Sequence, residues 1–149
     1  MPMQLKPTSG IQDFLRLSDR IGTAGQPTTA QIGALGQSGY EVVINLRPAA
    51  DSLANERQLL EQQGIEYVHI PVDWDAPTKE DVQRFFEAME SRTAKKVFVH
   101  CARNMRVSAF MYLYRVRVEG VPPEVAQVDL HHIWSPNTTW QRLIDQVLL

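Results

Sequence analysis

The chain's only cysteine, Cys101, lies where an apolar β-type run passes into a helical segment, and an arginine follows five positions later. A strand that ends in a cysteine brings the thiol to the edge of a sheet, and a short loop before a helix can curl its backbone N–H groups around an anion. Arg106 adds a planar pair of donors for two phosphate oxygens. We therefore predict a phosphate-binding loop formed by Ala102, Arg103, Asn104, Met105 and Arg106.

The chemistry open to such a loop is nucleophilic attack by sulfur on phosphorus. The field that holds a phosphate would also keep Cys101 as the thiolate, which is the nucleophilic form of cysteine. In-line attack would form a phosphocysteine, and water would then release inorganic phosphate. A buried cysteine followed by an ordinary basic helix start is the alternative interpretation of the same residues.

The leaving oxygen in that reaction needs a proton, which a carboxylic acid on a neighbouring loop can donate. Asp73 and Asp75 follow a predicted strand and lie in a polar loop, and Asp73 is the preferred acid. A solvated turn with a helix cap is the alternative for either aspartate. His100 directly precedes the nucleophile, and we expect it to organise the loop through hydrogen bonds rather than to transfer protons.

The elements that must position these residues follow from periodicity and from turn and cap residues. Strands are predicted near 20–24 and over 40–46, 65–72 and 95–100, and helices over 28–39, 51–63, 106–119 and 140–148, with two more beginning near 78 and 122. This alternation predicts an α/β domain spanning residues 1–149, with a central, mostly parallel sheet of four to five strands and helices on both faces. Ligands bind beyond the carboxyl ends of such strands, so the Cys101 and Asp73 loops can face one crevice.

Composition limits the other possibilities. A chain of 149 residues with 44% hydrophobic content can build one core, and its net charge of −2 offers no general basic field for nucleic acid or an anionic membrane. No run reaches the roughly 18 apolar residues of a membrane span, and the first twenty residues lack a secretory apolar core. One cysteine excludes an internal disulfide, which favours a reducing, cytoplasmic compartment. The four histidines show no metal-ligand spacing, so no metal or cofactor is expected.

The strand ending in His100 and Cys101, the short loop, the arginine and the serine at 108 resemble the signature of cysteine-dependent protein tyrosine and dual-specificity phosphatases. The order of elements along the whole chain follows the same pattern. The Asp73 loop, with Pro77 four residues on, is similar to the general-acid loop of compact dual-specificity phosphatases. The turn at 25–27 and the short loop more closely resemble bacterial, eukaryote-like phosphatases related to the domain found beside beta-lactamase-like hydrolases.

The resemblance implies that Cys101 is the nucleophile, Arg106 the phosphate clamp and Asp73 the acid, with Ser108 as the hydroxyl that eases departure of the thiolate. The implied substrate is a phosphorylated protein or a small phosphomonoester. Three departures from the usual signature stand out. Four residues rather than five separate the cysteine from the arginine, and the serine follows the arginine by two positions rather than one. Asn104 takes the place of the usual loop glycine, and asparagine tolerates the left-handed conformation that a tight loop needs.

Two other functions are compatible with the same residues. A rhodanese-like sulfurtransferase also uses a cysteine that ends a strand, with four residues before an arginine, but it carries a persulfide and needs no general acid. A binding module would hold a phosphorylated partner without turning it over. Fold and loop alone do not distinguish these chemistries, and the oligomeric state cannot be predicted from one sequence.

Overall fold

The computed structural model describes residues 10–48 and 53–149. Within them, five strands form one sheet in the order β1-β2-β5-β3-β4. Strands β2, β5, β3 and β4 are parallel, and β1 pairs antiparallel with β2 at the edge. The predicted α/β class with a mostly parallel sheet is confirmed. The strands are β1 (Leu15–Arg16), β2 (Ile21–Ala24), β3 (Val42–Asn45), β4 (Glu66–His69) and β5 (Val97–His100).

Helices cover both faces of this sheet, because side chains of a parallel strand alternate between two buried surfaces. Val97 and Val99 of β5 pack among residues of the later helices, whereas Phe98 packs with Ile32 and Leu60 on the opposite face. None of the described helices is long and apolar enough to cross a membrane. The helices are α1 (Thr29–Ile32), α2 (Leu53–Glu61), α3 (Lys79–Glu90), α4 (Met105–Arg117), α5 (Pro123–Ile133) and α6 (Thr138–Leu148).

Apart from element ends that shift by up to three residues, the structure differs from the predicted elements in two places. The helix predicted over 28–39 is divided into α1 and a 3-10 turn at Leu35–Ser38, because Gly33 caps α1 and the N–H of Gly36 donates to the Gln63 side chain at 2.8 Å. The two-residue strand β1 was not predicted, since it is too short to show a periodicity. The predicted helix over 51–63 begins at residue 53 in the structure, and residues 51 and 52 lie outside the described residues.

The register of the parallel strands brings their carboxyl ends to one edge of the sheet. Ala24 is paired with His100, His100 with Asn45, and Asn45 with His69. The segments that leave these strands therefore meet at this edge, and they include the turn at 25–27 and the loop that begins at Cys101. This edge is where the expected crevice of a parallel sheet lies.

Candidate active site

Cys101 lies at the carboxyl end of β5, at the centre of the sheet, and only 1% of its surface is exposed. It lines a cavity of about 240 Å³ whose walls come from the loop after β5 and from the loop after β4. The predicted phosphate-binding residues therefore line this cavity together with Cys101, except Asn104, which is fully buried and does not line it. The lining residues are Trp74, Cys101, Ala102, Arg103, Met105 and Arg106.

Asn104 turns the loop sharply into α4. Its backbone has φ 65° and ψ 3°, the left-handed conformation that asparagine tolerates better than most residues. Its side-chain N–H group donates to the Asp13 carbonyl at 2.9 Å and to the Thr23 hydroxyl at 3.0 Å. The Asn104 Oδ1 is buried and has no hydrogen-bond partner among the described residues, so Asn104 makes no side-chain cap to the first turn of α4. The first N–H groups of a helix lack partners within the helix, so this helix start can bind an anion.

Arg106 lies in the first turn of α4 and lines the same cavity as the sulfur. It is 8% exposed, and its Nε is buried without a hydrogen-bond partner among the described residues. Its guanidinium carbon lies 5.8 Å from the centre of the Trp74 ring. A loop with four intervening residues thus still brings the arginine beside the cysteine.

The loop after β4 forms another wall of the cavity. Trp74 contributes to that wall, whereas Asp73 and Asp75 on either side of it are exposed and do not line the cavity. The Asp73 carboxylate accepts the backbone N–H of Asp75 at 2.9 Å, which is an Asx turn. The structure therefore places both candidate acids beside the rim, with neither carboxyl group inside the cavity.

Three tryptophans hold this loop against the last two helices. The Trp74 ring lies 5.3 Å from the Trp134 ring and 5.5 Å from the Trp140 ring, measured between centroids. The Trp140 indole N–H also donates to the Trp74 carbonyl at 2.9 Å. Packed aromatic rings and a hydrogen-bonded indole N–H both favour a single loop conformation. The last two helices thus position the cavity wall, a contribution that sequence analysis missed.

Ser108 does not line the cavity. Its hydroxyl donates to the Met105 carbonyl at 2.9 Å and accepts the Trp134 indole N–H at 3.0 Å. The first bond lies within the first turn of α4, the second joins that turn to the residue that follows α5, and no hydrogen bond joins Ser108 to Cys101. The role that the family resemblance implies for this hydroxyl is therefore not visible in its contacts.

His100 makes hydrogen bonds on both sides of its buried ring. Its Nδ1 lies 3.4 Å from the Cys101 carbonyl oxygen, and its Nε2 lies 2.6 Å from a carboxylate oxygen of Glu56. Glu56 is 4% exposed and also accepts the Gln26 side-chain N–H at 3.2 Å. Sequence analysis missed Glu56. One signal was available, because Glu56 lies four residues before the buried Leu60 and so shares its inward face of α2.

Burial opposes ionisation of Glu56, but hydrogen bonds from His100 and Gln26, with the charges of His100 and Arg47, bring its pKa below the ordinary value of 4.5. A carboxyl group whose pKa is lowered by folding stabilises the protein above its unfolded-state pKa, and that contribution is lost as the pH falls through the folded-state pKa. Glu56→Gln should therefore show a smaller loss of unfolding free energy than the wild type when the pH falls below 4.5. At pH 7 it should be less stable by about 1–3 kcal/mol.

Urea denaturation of both proteins between neutral and acid pH measures this difference. If the free energy of unfolding falls equally with pH in the two proteins, folding does not lower the pKa of Glu56.

The cavity offers donors to an anion rather than ligands to a metal. Its charged side chains are the guanidinium groups of Arg103 and Arg106, and the start of α4 adds backbone N–H groups. Among the residues that the structure describes, no three His, Cys, Asp or Glu side chains lie together as metal ligands would. The arrangement can hold a tetrahedral anion beside a sulfur atom.

A parallel sheet that presents a cysteine, a short loop and an arginine at the start of a helix fits the class of dual-specificity-type phosphatases, and comparison with known proteins supports this class. Over residues 13–139 the chain matches the family described as DSP-PTPase phosphatase fused to NAD+ kinase, and it belongs to that family. The family and the fold make this a phosphatase-type protein.

The relatives agree with the bacterial resemblance. A beta-lactamase hydrolase-like protein of Xylella fastidiosa (strain Temecula1) is 30% identical over 109 residues, which cover 70% of this chain and 25% of the relative. The chain spans about a quarter of the length of the curated relatives that it matches. The crystal structure of a candidate DUF442 phosphatase from Shewanella putrefaciens CN-32 is 37% identical, with a TM-score of 0.85 and coverage of 97% of this chain and 96% of that one.

A more distant structure shares the fold. A cysteine-to-serine variant of P. aeruginosa TpbA, solved in complex with pTyr, has a TM-score of 0.72, at 15% identity and coverage of 97% of this chain and 91% of that one. The predicted resemblance to the cysteine-dependent phosphatases is thereby confirmed.

Proposed function

We propose that this protein hydrolyses phosphate monoesters through a phosphocysteine formed on Cys101. One observation carries the proposal: Cys101 and Arg106 line the same cavity, and the buried Nε of Arg106 has no hydrogen-bond partner among the described residues. An unpaired buried donor is costly, and a phosphate oxygen would satisfy it. The start of α4 faces the same anion, so the charge of the phosphate would be neutralised while the sulfur attacks.

The proposed reaction has two steps. In the first, the Cys101 thiolate forms a bond to phosphorus while the bond from phosphorus to the leaving oxygen breaks, and Asp73 donates its proton to that oxygen. In the second, water attacks the phosphocysteine, Asp73 takes up a proton from the water, and the thiolate leaves inorganic phosphate behind. Arg106 holds two equatorial phosphate oxygens in both steps. Each cycle restores the thiolate and the protonated acid.

The substrate we propose is phosphotyrosine or a similar aryl phosphate, presented by a protein or as a small molecule. The Trp74 ring and the Met105 side chain line the cavity beside the two arginines. A flat apolar group on the phosphate can pack against such walls. The complex of TpbA with pTyr supports this substrate class. We further propose that residues 1–149 act as one phosphatase-like domain in a reducing, cytoplasmic compartment, because the mechanism needs a free thiol.

The proposal is tested by release of inorganic phosphate from p-nitrophenyl phosphate and phosphotyrosine, together with acid quench and intact-protein mass spectrometry. We expect turnover of both compounds and a phosphorylated form of the protein on quenching. Thiocyanate formation from thiosulfate and cyanide without phosphate release would instead identify a sulfurtransferase. Binding of a phosphopeptide with no turnover would identify a binding module.

The choice between Asp73 and Asp75 as the acid can be made with matched asparagine variants. Asp73→Asn should lower kcat for phosphotyrosine by about 10²–10⁴, the usual contribution of general acid catalysis, and should remove the alkaline limb of the pH profile. The loss should be much smaller for p-nitrophenyl phosphate, because its leaving group needs little protonation. Asp75→Asn, three residues before the cap of α3 and equally exposed, is the matched control. The opposite pattern would assign the acid to Asp75.

A further inference from the structure

We propose that Glu56 is a positioning residue that holds the phosphate-binding loop in its binding conformation from behind, acting through His100 and Gln26. We call these three residues the rear frame. The inference rests on the proposed function only in that the loop binds a phosphate. It requires no particular acid, substrate or rate.

The first arm of the rear frame runs through His100. One Glu56 carboxylate oxygen lies 2.6 Å from the His100 Nε2, and the other ring nitrogen lies 3.4 Å from the Cys101 carbonyl oxygen. Both side chains are buried. A ring held at both nitrogens cannot rotate freely, so Glu56 controls how His100 meets the carbonyl of the nucleophile.

The second arm runs through Gln26, in the turn after β2. Its side-chain N–H donates to the other Glu56 oxygen at 3.2 Å, and its backbone N–H donates to the Ala102 carbonyl at 3.0 Å. Arg47 fixes the far side of the same amide by donating to its oxygen at 2.8 Å. The turn also packs closely against the phosphate-binding loop, since a Cβ on Gly25 would lie 2.6 Å from the Ala102 carbonyl oxygen.

The two arms contact the carbonyl groups of two consecutive residues, Cys101 and Ala102, and peptide geometry then determines where the N–H groups that follow them point. In a trans peptide the carbonyl oxygen and the N–H of the next residue point to opposite sides of the chain. Because the Cys101 and Ala102 carbonyls point back to the rear frame, the N–H groups of Ala102 and Arg103 point the other way. Both of these residues line the cavity, so the rear frame turns their N–H groups toward a bound anion.

Stabilisation of the fold is one role of this buried carboxyl group, and its two hydrogen-bonding oxygens give it a second role in positioning the loop. Burying an ion pair seldom stabilises a fold more than apolar packing of the same volume, because desolvation offsets the attraction. Buried polar groups of this kind instead select one geometry when every member has a partner. Here both carboxylate oxygens of Glu56 have hydrogen-bond partners, and both partners also contact the loop that carries the nucleophile.

The test uses tungstate, a tetrahedral oxyanion, and the fact that Cys101 is the only cysteine in the chain. The rate of iodoacetamide alkylation is followed by intact-protein mass spectrometry at increasing tungstate, and protection gives the tungstate Kd without any turnover. The variants are Glu56→Ala, Glu56→Gln and Gln26→Ala. The matched control is Asp81→Ala, which also removes a buried carboxylate, one that caps α3 through Thr78 and pairs with Arg84 and makes no hydrogen bond to the phosphate-binding loop. Thermal unfolding is measured for each protein.

We expect Glu56→Ala to weaken tungstate binding by about tenfold, because two loop hydrogen bonds lose their support. Gln26→Ala should weaken it by about threefold, because its backbone bond to Ala102 remains. Glu56→Gln should stay within about twofold of the wild type, since a glutamine can accept from Gln26 and can still form a hydrogen bond with the His100 Nε2. Asp81→Ala should bind tungstate like the wild type even though its Tm falls.

Several results would overturn the inference. The first is a Glu56→Ala variant that binds tungstate as tightly as the wild type. The second is a loss of tungstate affinity in Asp81→Ala as large as the loss in Glu56→Ala. The third is an equally large loss of tungstate affinity in Glu56→Gln. If Glu56→Ala does not fold, wild-type binding in Gln26→Ala overturns it equally. A wild-type protein that binds tungstate with the expected variant pattern but releases no phosphate would refute the proposed function and leave the rear frame standing. If tungstate does not protect Cys101 of the wild-type protein from alkylation, both the proposed function and the rear frame are refuted.

Discussion

Cys101→Ser is expected to lower kcat for aryl phosphate hydrolysis by at least about four orders of magnitude. The physical reason is that a serine hydroxyl beside a phosphate dianion stays protonated and is a poor nucleophile, whereas a thiolate attacks directly. The change replaces one atom at a site that is 1% exposed, so the fold should be retained. The measurement is the initial rate of phosphate release from p-nitrophenyl phosphate at saturating substrate.

The control for this experiment is anion binding in the same variant. Tungstate affinity, measured by isothermal titration, should remain within about tenfold of the wild-type value, because the start of α4 and Arg106 are unchanged. Lost turnover with retained binding assigns Cys101 to the chemical step. Turnover close to the wild-type rate would show that another group or water attacks phosphorus, and would remove the phosphocysteine from the mechanism.

Arg106→Lys is expected to lower kcat/KM by about 10²–10³ while the positive charge is kept. Lysine presents a single ammonium group, so it cannot make the two parallel bonds that a guanidinium makes to phosphate oxygens. Arg103→Lys is the matched control, because Arg103 lines the same cavity from an exposed position in the same loop. We expect that control to change kcat/KM by less than about fivefold.

The stability of the Arg106 variants provides a second readout. The wild-type guanidinium is buried with an unpartnered Nε, a cost that the folded protein carries in the absence of an anion. Arg106→Met should therefore unfold at an equal or higher temperature than the wild type while losing tungstate binding, as is common where a site is kept strained for function. A large fall in Tm with unchanged anion binding would show that Arg106 serves the core rather than the phosphate.

Most of the sheet and the sulfur loop could be predicted from sequence, because local patterns determine them. Apolar runs with turn residues at their ends placed four strands, and the alternation with helices predicted the parallel arrangement that the structure shows. The left-handed turn at Asn104 followed from a property of the residue itself. The 28–39 helix was predicted too long, because the tertiary partner of Gly36, the Gln63 side chain, is 27 residues away.

The walls and supports of the cavity could not be predicted in the same way. Glu56 looks like an ordinary helix carboxylate in the sequence, and only the fold brings His100, in β5 and 44 residues away, to within 2.6 Å of it. Trp140 joins the cavity wall through the Trp74 carbonyl, which lies 66 residues away along the chain. Ser108 faces α5 instead of the cavity because the Trp134 indole occupies its hydroxyl. Each of these contacts depends on packing between distant elements, and no local pattern encodes it.

The sequence by itself determined that one cysteine ends a buried strand, that a short loop leads from it into a helix, and that an arginine lies in the first turn of that helix. These features depend on residues that are neighbours along the chain, so backbone geometry and side-chain periodicity are enough to place them. Only the tertiary structure decided what surrounds that loop. The register of β2, β3 and β5 brings the turn at Gln26 and helix α2 behind it. Close packing of the last two helices places Trp74 in front of it, since a core fills its space with whichever side chains the fold brings together.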